Sequence, residues 1–343
     1  MSNRFIALLC ATVAVVAGVS LGSVSVAGQA QTAAAKTGTA FRTPWGAPDL
    51  QGTWDNGTIT PLERPKQFEG KEFLTKEEAA KHEAEVGRGE VTPVGHVTHR
   101  LDAPGAGGAV GIYNDFWMEQ GSKVVGSRRT SLIVDPPDGK MPPVTPEAKT
   151  RSDARAEARR KRGPADSWED VSLQNRCLVW AAGIPHMPSF YNNYYQIVQT
   201  PEYVAIVSEM IHNVRIIPLD GRPHISENIR QWYGDSRGRW EGNTLVVDTA
   251  NFTDKTLKFG ASENMRLVER FTRVDADTIK YEFTVNDPTT FTRPWSAEVP
   301  MLKINGRIYE YSCHEGNYAL EGILAGSRAE EKAAAEAAKK GSR

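Results

Sequence analysis

The strongest constraint on the fold is a run of short apolar segments, separated by turn residues, between residues 176 and 317. β-Branched and aromatic residues dominate these segments, as is typical of strands. Asn305-Gly306 predicts a two-residue hairpin, because Asn-Gly suits the positive φ angles of that turn. Closely spaced strands without a long helix between them predict an antiparallel barrel or sandwich. We expect strands at residues 194–199, 203–211, 213–218, 229–233, 244–248, 267–273, 278–285, 292–301 and 307–314.

This pattern predicts a mainly β protein, with an antiparallel lipocalin-like β-barrel over residues 165–325 and a solvated tail over 326–343. Residues 31–164 are predicted to form an N-terminal loop and helix extension that packs on the barrel. Two surface helices are expected there. One begins after Thr75, because Glu78 three residues later completes a capping box, and the other begins after Thr145.

The first 30 residues have the composition of a secretory signal peptide. A single early Arg4 precedes an apolar run, which ends in small residues that suit a signal peptidase. The run is short for a membrane helix, and no later segment approaches the roughly 20 apolar residues that such a helix needs. We therefore expect an exported protein, periplasmic or extracellular, without membrane insertion.

Cysteine usage allows one disulfide. The chain has 3 cysteines, and Cys10 lies in the predicted signal peptide, which leaves Cys177 and Cys313. In an oxidising compartment such a pair can form a bridge, and the alternative is two buried free thiols. The CxxC spacing is absent, which argues against a redox or zinc role.

The charge and the motifs exclude several classes of function. The chain carries 41 basic and 42 acidic residues, a formal net charge of −1, which does not favour nucleic acid as a partner. GxSxG, HExxH, phosphate-binding glycine loops and dinucleotide fingerprints are absent from the sequence. We expect no cofactor and no metal, and a small organic ligand or substrate as the partner.

Two carboxylates on apolar strand faces are candidate catalytic groups. Because side chains alternate along a strand, Glu209 would lie on a covered face, and Arg215 would share that face if the strand ran straight on. The alternative is a structural ion pair between the two. Glu269 interrupts another apolar face, as expected for a raised pKa and proton transfer. The alternative there is a salt bridge with Arg273.

Two histidines are candidate proton-transfer groups. His212 lies at a predicted bend beside apolar residues, where it is either a hydrogen-bonded core residue or a general base. On the predicted last strand, Glu310, Ser312 and His314 share one face. That face is either the solvent side of an edge strand or part of the barrel interior, where His314 and Glu310 would form an acid–base pair.

An aromatic loop stiffened by prolines over residues 184–195 is predicted to border a ligand pocket. The alternative is aromatic packing beneath a loop. The candidate substrate-binding residues are His186, Tyr191, Tyr195, Trp232, Trp295 and Glu310.

Five segments of the chain have distinctive sequences: RTSLIVDPPDG at 129–139, IPLDG at 217–221, GDSRGRWEG at 234–242, TLVVD at 244–248 and YEYSCHEGN at 309–317. They resemble a family of exported bacterial proteins of unassigned activity, and the resemblance spans most of the chain after the predicted signal peptide. It implies export and carries no catalytic residues across.

The leading prediction is an exported enzyme that acts on a small, partly apolar substrate by cofactor-free acid–base chemistry, as an isomerase, hydro-lyase or hydrolase. His212 or His314 would move the proton, with Glu209 or Glu269 as partner, and Arg215 would stabilise negative charge. The alternative is a non-catalytic, lipocalin-like small-molecule-binding protein. A scaffold protein without a pocket is the third possibility.

Overall fold

Ten antiparallel strands form one sheet in the computed structural model, which describes residues 41–88, 121–163, 165–179, 183–189, 191–255 and 258–341. The predicted signal peptide lies outside the described residues. The strands are β1 (Gly52–Asp55), β2 (Ile133–Asp135), β3 (Tyr194–Gln199), β4 (Tyr203–Ser208), β5 (Val214–Pro218), β6 (Asp235–Glu241), β7 (Thr244–Ala250), β8 (Arg266–Arg273), β9 (Thr278–Asn286) and β10 (Trp295–Ile304).

The strand order is β5-β4-β3-β1-β10-β9-β8-β7-β6, and β2 also pairs with β10. The prediction of a mainly β, antiparallel fold is confirmed. The expectation of a closed tube is corrected, since the two ends of this order are not joined by a backbone ladder in the described residues. One reason lies in β5, which has five residues and ends at Pro218, a residue without an N–H to donate.

The backbone of β5 nevertheless lies close to that of β6, so the sheet curls without closing. Gly238 on β6 permits this approach. A Cβ atom there would lie 2.8 Å from Cγ2 of Ile217 and 2.7 Å from Cδ2 of Leu219. The absence of a side chain at this position therefore brings the inward face of β5 within reach of β6 and its neighbours.

Alternating burial along the strands creates the core. On β9, Ile279, Tyr281, Phe283 and Val285 are buried, and the residues between them are partly exposed. Strands β8 and β10 repeat this alternation. Each fully buried large apolar side chain contributes roughly 1.5–3 kcal/mol, so the inward face, filled by these residues, is the main source of stability.

Three helices accompany the sheet: α1 (Lys76–Gly87), α2 (Pro146–Arg160) and α3 (Tyr318–Gly341). The two predicted helix starts are confirmed. Thr75 and Glu78 form both hydrogen bonds of the capping box, and the Thr145 side chain accepts from the third residue of α2. The third helix, α3, includes most of the sequence that was expected to be a solvated tail.

The predicted hairpin at Asn305-Gly306 is wrong. β10 ends at Ile304, and residues 307–317 form no strand. β10 already pairs with β9 on one side and with β1 and β2 on the other, so no edge of it remains for a further strand. The predicted strand at 229–233 is likewise reduced to a single bridge between Gln231 and Phe252.

A disulfide fixes residues 307–317 to the rest of the chain. Cys177 and Cys313 are bonded, with Cα atoms 5.8 Å apart. The possible bridge read from the sequence is therefore confirmed, although neither cysteine lies in a strand. None of the helices in the described part of the chain is long and apolar enough to cross a membrane.

Candidate functional site

A buried ion pair lies inside the curled sheet. Arg215 of β5 is 6 % exposed and Glu269 of β8 is 0 % exposed. Nη1 of Arg215 donates to Oε1 of Glu269 over 3.0 Å, and Nη2 donates to Oε2. Two further donors of Arg215 bond to Ser236 Oγ at 2.9 Å and to Thr249 Oγ1 at 2.8 Å. Four of the five guanidinium N–H groups thus bond to protein groups, which is the arrangement of a structural pair.

Tyr281 extends this cluster across β9. Its hydroxyl donates to Oε1 of Glu269 over 2.8 Å and accepts from the backbone N–H of His186 at 3.0 Å. Desolvation raises the pKa of Tyr281 well above its ordinary value, and the nearby Glu269 charge adds to this effect. The phenol is therefore neutral and serves as a hydrogen-bonding link between the ion pair and the loop that contains His186.

The His186 ring is 1 % exposed and packs against aromatic residues, with its centroid 4.6 Å from that of Tyr195. Neither ring nitrogen makes a hydrogen bond of good geometry in the described part of the chain. Desolvation lowers the pKa of His186 well below its usual value, and the charges of Arg215 and Lys258 act in the same direction. The backbone of Gly183 acts against this shift but does not overcome it. The imidazole is neutral at physiological pH.

A cavity of about 590 Å³ lies beside this cluster. Its described lining residues lie outside the ten strands, and most are apolar or aromatic. No Asp or Glu is among them. They are Leu173, Gln174, Val179, Gly183, Ile184, Met187, Trp232, Tyr233, Phe252, Lys255, Lys258, Phe259 and Met265.

Lys258 is the half-buried cation of this cavity. Its Nζ donates to the backbone oxygen of Pro185 over 2.6 Å, and no carboxylate of the described residues lies within ion-pair distance. Desolvation lowers the pKa of Lys258 to about 7, an effect that the Glu269 charge only partly opposes. The cavity therefore has an amine that is readily neutral at its wall.

Lys255, in the same loop, differs from Lys258. Its Nζ donates to Oε1 of Glu169 over 2.7 Å and lies 5.6 Å from the ring centroid of Trp168. The side chain is half exposed, so this ion pair is in contact with water. Of the two lysines, Lys255 is already neutralised by a carboxylate and Lys258 is not.

Glu209 and His212 lie together at the turn between β4 and β5. Oε1 of Glu209 accepts from the backbone N–H of Tyr309 at 2.8 Å, and Nδ1 of His212 is 2.9 Å from the backbone oxygen of Tyr311, to which its N–H donates. Glu209 is 2 % exposed, whereas His212 is exposed. The turn departs from a strand, since Ile211 and His212 have φ angles of 55° and 41°. Both side chains hold residues 307–317 in place.

The five predicted catalytic residues are not gathered into one cavity. Arg215 and Glu269 bond to each other, so the predicted alternatives of a Glu209–Arg215 pair and a Glu269–Arg273 pair are both wrong. His212 and His314 are exposed, whereas Glu269 is fully buried. The predicted face of Glu310, Ser312 and His314 does not exist as a strand face, and all three are exposed.

Among the predicted substrate-binding residues, Trp232 lines the cavity, and His186 follows the residue whose carbonyl bonds Lys258. Tyr195 packs on His186, and Trp295 lies inside the core with its ring 4.9 Å from that of Phe259. Tyr191 packs elsewhere, against Met210 and Ile211, and Glu310 is exposed. Sequence reasoning missed Lys258, because it lies in a single 3-10 turn, Lys258–Gly260, which is too short for a periodicity that would assign a direction to its side chain.

No family model matches the chain, and neither the curated proteins nor the solved structures include a match. The family resemblance noted in the sequence stays a prediction. Functional inference therefore depends on the cavity and on Lys258.

Proposed function

We propose that this protein binds a small apolar or aromatic molecule whose polar end is an oxygen acceptor, either a carboxylate or a carbonyl. In this proposal it is a non-catalytic, lipocalin-like binding protein exported from the cell. The observation that carries the proposal is the apolar cavity with Lys258 at its wall and no acidic residue in its described lining.

The size and the lining of the cavity support this assignment. Ligand pockets commonly have volumes of roughly 300–1,000 Å³ and are mainly apolar, with a few polar groups that orient the ligand. The volume here is about 590 Å³, and Trp232, Phe252 and Phe259 supply aromatic walls. Loops between strands are also where binding residues concentrate, because a rigid sheet positions them.

Charge favours an oxygen acceptor as the polar end. A partly desolvated ammonium without a carboxylate partner is costly, and an anion or a carbonyl oxygen placed beside it would offset that cost. A carboxylate ligand would also stabilise the ammonium form and raise the pKa of Lys258 from about 7. Binding of such a ligand is therefore expected to take up a proton near neutral pH.

The acid–base enzyme predicted from the sequence has less support, because its histidines are exposed and its best-placed carboxylate, Glu269, is fully bonded. The proposal keeps only the general architecture of the lipocalin-like prediction, a curled antiparallel sheet that supports a ligand-binding site. The ligand would occupy a cavity formed by loops, since aromatic side chains fill the sheet interior.

A fluorescence titration tests the proposal. We expect 2-naphthoate to quench Trp232, with a signal that is lost in Trp232→Phe. Lys258→Met should weaken naphthoate binding by roughly 10- to 100-fold, as expected for one charge-assisted hydrogen bond. 2-Ethylnaphthalene, which lacks the acceptor, should bind both proteins equally.

Lys280→Met is the matched control, because Lys280 pairs with Glu282 on the outer face of β9 and should not affect binding. Equal losses in the two lysine variants, or no saturable quenching by naphthoate, would count against the proposal.

A further inference from the structure

We propose that Lys258 captures carbonyl compounds covalently, as an imine between its ε-amine and an apolar aromatic aldehyde or ketone held in the cavity. This inference depends on the proposed function, because the same aromatic walls must hold the apolar part of the ligand. It adds a reversible covalent bond and a substrate class to a site that otherwise only binds.

The first support is the position of the amine. Lys258 lines the cavity, and Pro185, whose backbone oxygen bonds its Nζ, lies between the lining residues Ile184 and Met187. Its hydrogen bond to the Pro185 oxygen, at 2.6 Å, holds the amine in place without neutralising it by charge. A carbonyl carbon that enters the cavity would therefore meet a positioned nucleophile.

The second support is the protonation state that this position favours. Only the neutral amine attacks a carbonyl, and burial in apolar surroundings makes lysine a nucleophile near neutral pH. Desolvation lowers the pKa of Lys258 to about 7. Of the charged and titratable groups around Lys258, only Glu269 favours the ammonium form. Lys255 lines the same cavity, and Arg215 and His186 lie toward the sheet interior.

The third support is the contrast with Lys255, which lines the same cavity. Its ammonium is paired with Glu169 and is half exposed. A carboxylate partner favours the charged form, which has no lone pair to donate. Two lysines three positions apart therefore have opposite chemical character, and this difference makes the inference testable within one protein.

The reaction balances without a further reactant. The amine lone pair forms the C–N bond, and the carbonyl π pair moves to oxygen, which receives one of the two amine protons to give a carbinolamine. The hydroxyl group then leaves as water with the second proton of the nitrogen, and the nitrogen lone pair forms the C=N bond. Neither an oxidant nor a reductant is consumed, and hydrolysis reverses the reaction.

Reductive trapping tests the inference. Wild-type protein is incubated with 2-naphthaldehyde and cyanoborohydride at pH 7, and the modified peptides are identified by mass spectrometry. We expect one naphthylmethyl group on Lys258, with labelling about 10-fold or more above that of Lys255. The labelling rate of Lys258 should rise with pH and level off above about 7, whereas an ordinary lysine continues to gain reactivity up to about pH 10.

Two variants and a competitor complete the experiment. Lys258→Arg keeps the charge and should abolish specific labelling, Lys280→Met should label like wild type, and 2-naphthoate should protect Lys258. Circular dichroism of each variant establishes that it is folded. Since the comparison of Lys258 with Lys255 is made in the wild-type protein, a variant that fails to fold does not remove the test.

The outcomes separate this inference from the proposed function. If naphthoate binds and Lys258 labels no faster than Lys255, the imine is overturned and the binding function stands. If naphthoate does not bind and naphthaldehyde does not label Lys258 specifically, the binding function and the imine both fail. Specific labelling of Lys258 without naphthoate binding would support the imine and overturn the carboxylate form of the ligand.

Discussion

Two cations, Arg215 and Lys258, are shielded from water in two different environments. Arg215, inside the sheet, bonds to both oxygens of Glu269 and to two hydroxyl groups. Lys258, at the wall of the cavity, has one hydrogen bond, to a backbone carbonyl, and no carboxylate partner in the described residues. A buried cation that has a carboxylate counter-charge and most of its donors bonded has little capacity left for a ligand, whereas a cation without a counter-charge retains that capacity. The comparison therefore separates a structural group from a candidate binding group.

A short loop connects the two regions. The carbonyl of Pro185 accepts from Lys258, and the next backbone N–H, that of His186, donates to Tyr281, which in turn bonds Glu269. The interior ion pair thus supports the loop that positions the lysine. In the proposed function, the ion pair would act on ligand binding through this chain of bonds, without touching the ligand.

The largest expected effect comes from breaking the ion pair. Arg215→Met leaves the Glu269 carboxylate buried without its counter-charge, which typically costs about 3–5 kcal/mol. Lys258→Met removes a desolvated charge that has no partner, so we expect no loss of stability. Urea unfolding at pH 7.5, followed by circular dichroism, measures both free energies of unfolding.

Arg239→Met is the matched control for this comparison. Arg239 pairs with Glu241 at the exposed surface of β6, and such pairs contribute about 1 kcal/mol or less. If Lys258→Met destabilised the protein as much as Arg215→Met, the distinction between the two cations would be lost.

The sequence predicts the inward position of Glu269, but it does not predict the ion pair of Glu269 with Arg215. Alternation along a strand places Glu269 on the inward face with Leu267 and Phe271, and all three are buried. The partner could not be read in the same way, because Arg215 and Glu269 lie 54 residues apart and meet only when the sheet curls. That curl depends on the close approach at Gly238, a tertiary contact that no local pattern records.

Local signals predicted the helix starts, and they failed where tertiary pairing decides the structure. The cap residues Thr75 and Thr145 act within a single turn, and both helices begin as predicted. Asn305-Gly306 has the local chemistry of a hairpin, but β10 has no free edge to pair with. Lys258 lies in a single 3-10 turn, so the direction of its side chain is decided by tertiary packing.

The disulfide provides an intermediate effect that should act mainly on the cavity. It lies next to Leu173, Gln174 and Val179 in the chain, which form one wall of the cavity. Joint Cys177→Ala and Cys313→Ala substitution opens a long loop and should lower the free energy of unfolding by about 2–4 kcal/mol. Naphthoate affinity should fall as well, because this wall loses its attachment.

Reduction of the wild-type protein is the control for the double variant, and it should reproduce both effects. Fluorescence titration reports the cavity, and far-UV circular dichroism reports the sheet, which contains neither cysteine. Unchanged naphthoate affinity after reduction would show that this wall does not depend on the bridge.

The smallest effect concerns His186, which lies between the two regions and is neutral in the folded protein. Its pKa is lowered by desolvation, so unfolding takes up a proton at pH values below the unfolded value of about 6.5. The wild-type protein should therefore lose stability from this group as pH falls through 6.5, by up to about 1.4 kcal/mol for each pH unit. The His186→Leu variant should not show this loss of stability at low pH. The substitution also replaces the two ring nitrogens of His186, which lack well-formed hydrogen bonds, by carbon.

At pH 7.5 we expect His186→Leu to change the free energy of unfolding by about 1 kcal/mol or less, since the volumes are similar. Between pH 7.5 and pH 5.5, the free energy of unfolding of the variant relative to that of wild type should rise by about 1.4 kcal/mol. Urea unfolding at the two pH values measures this, with His314→Leu as the exposed control. A His186→Leu variant with the same pH dependence as wild type would mean that the imidazole is protonated or solvated in the fold.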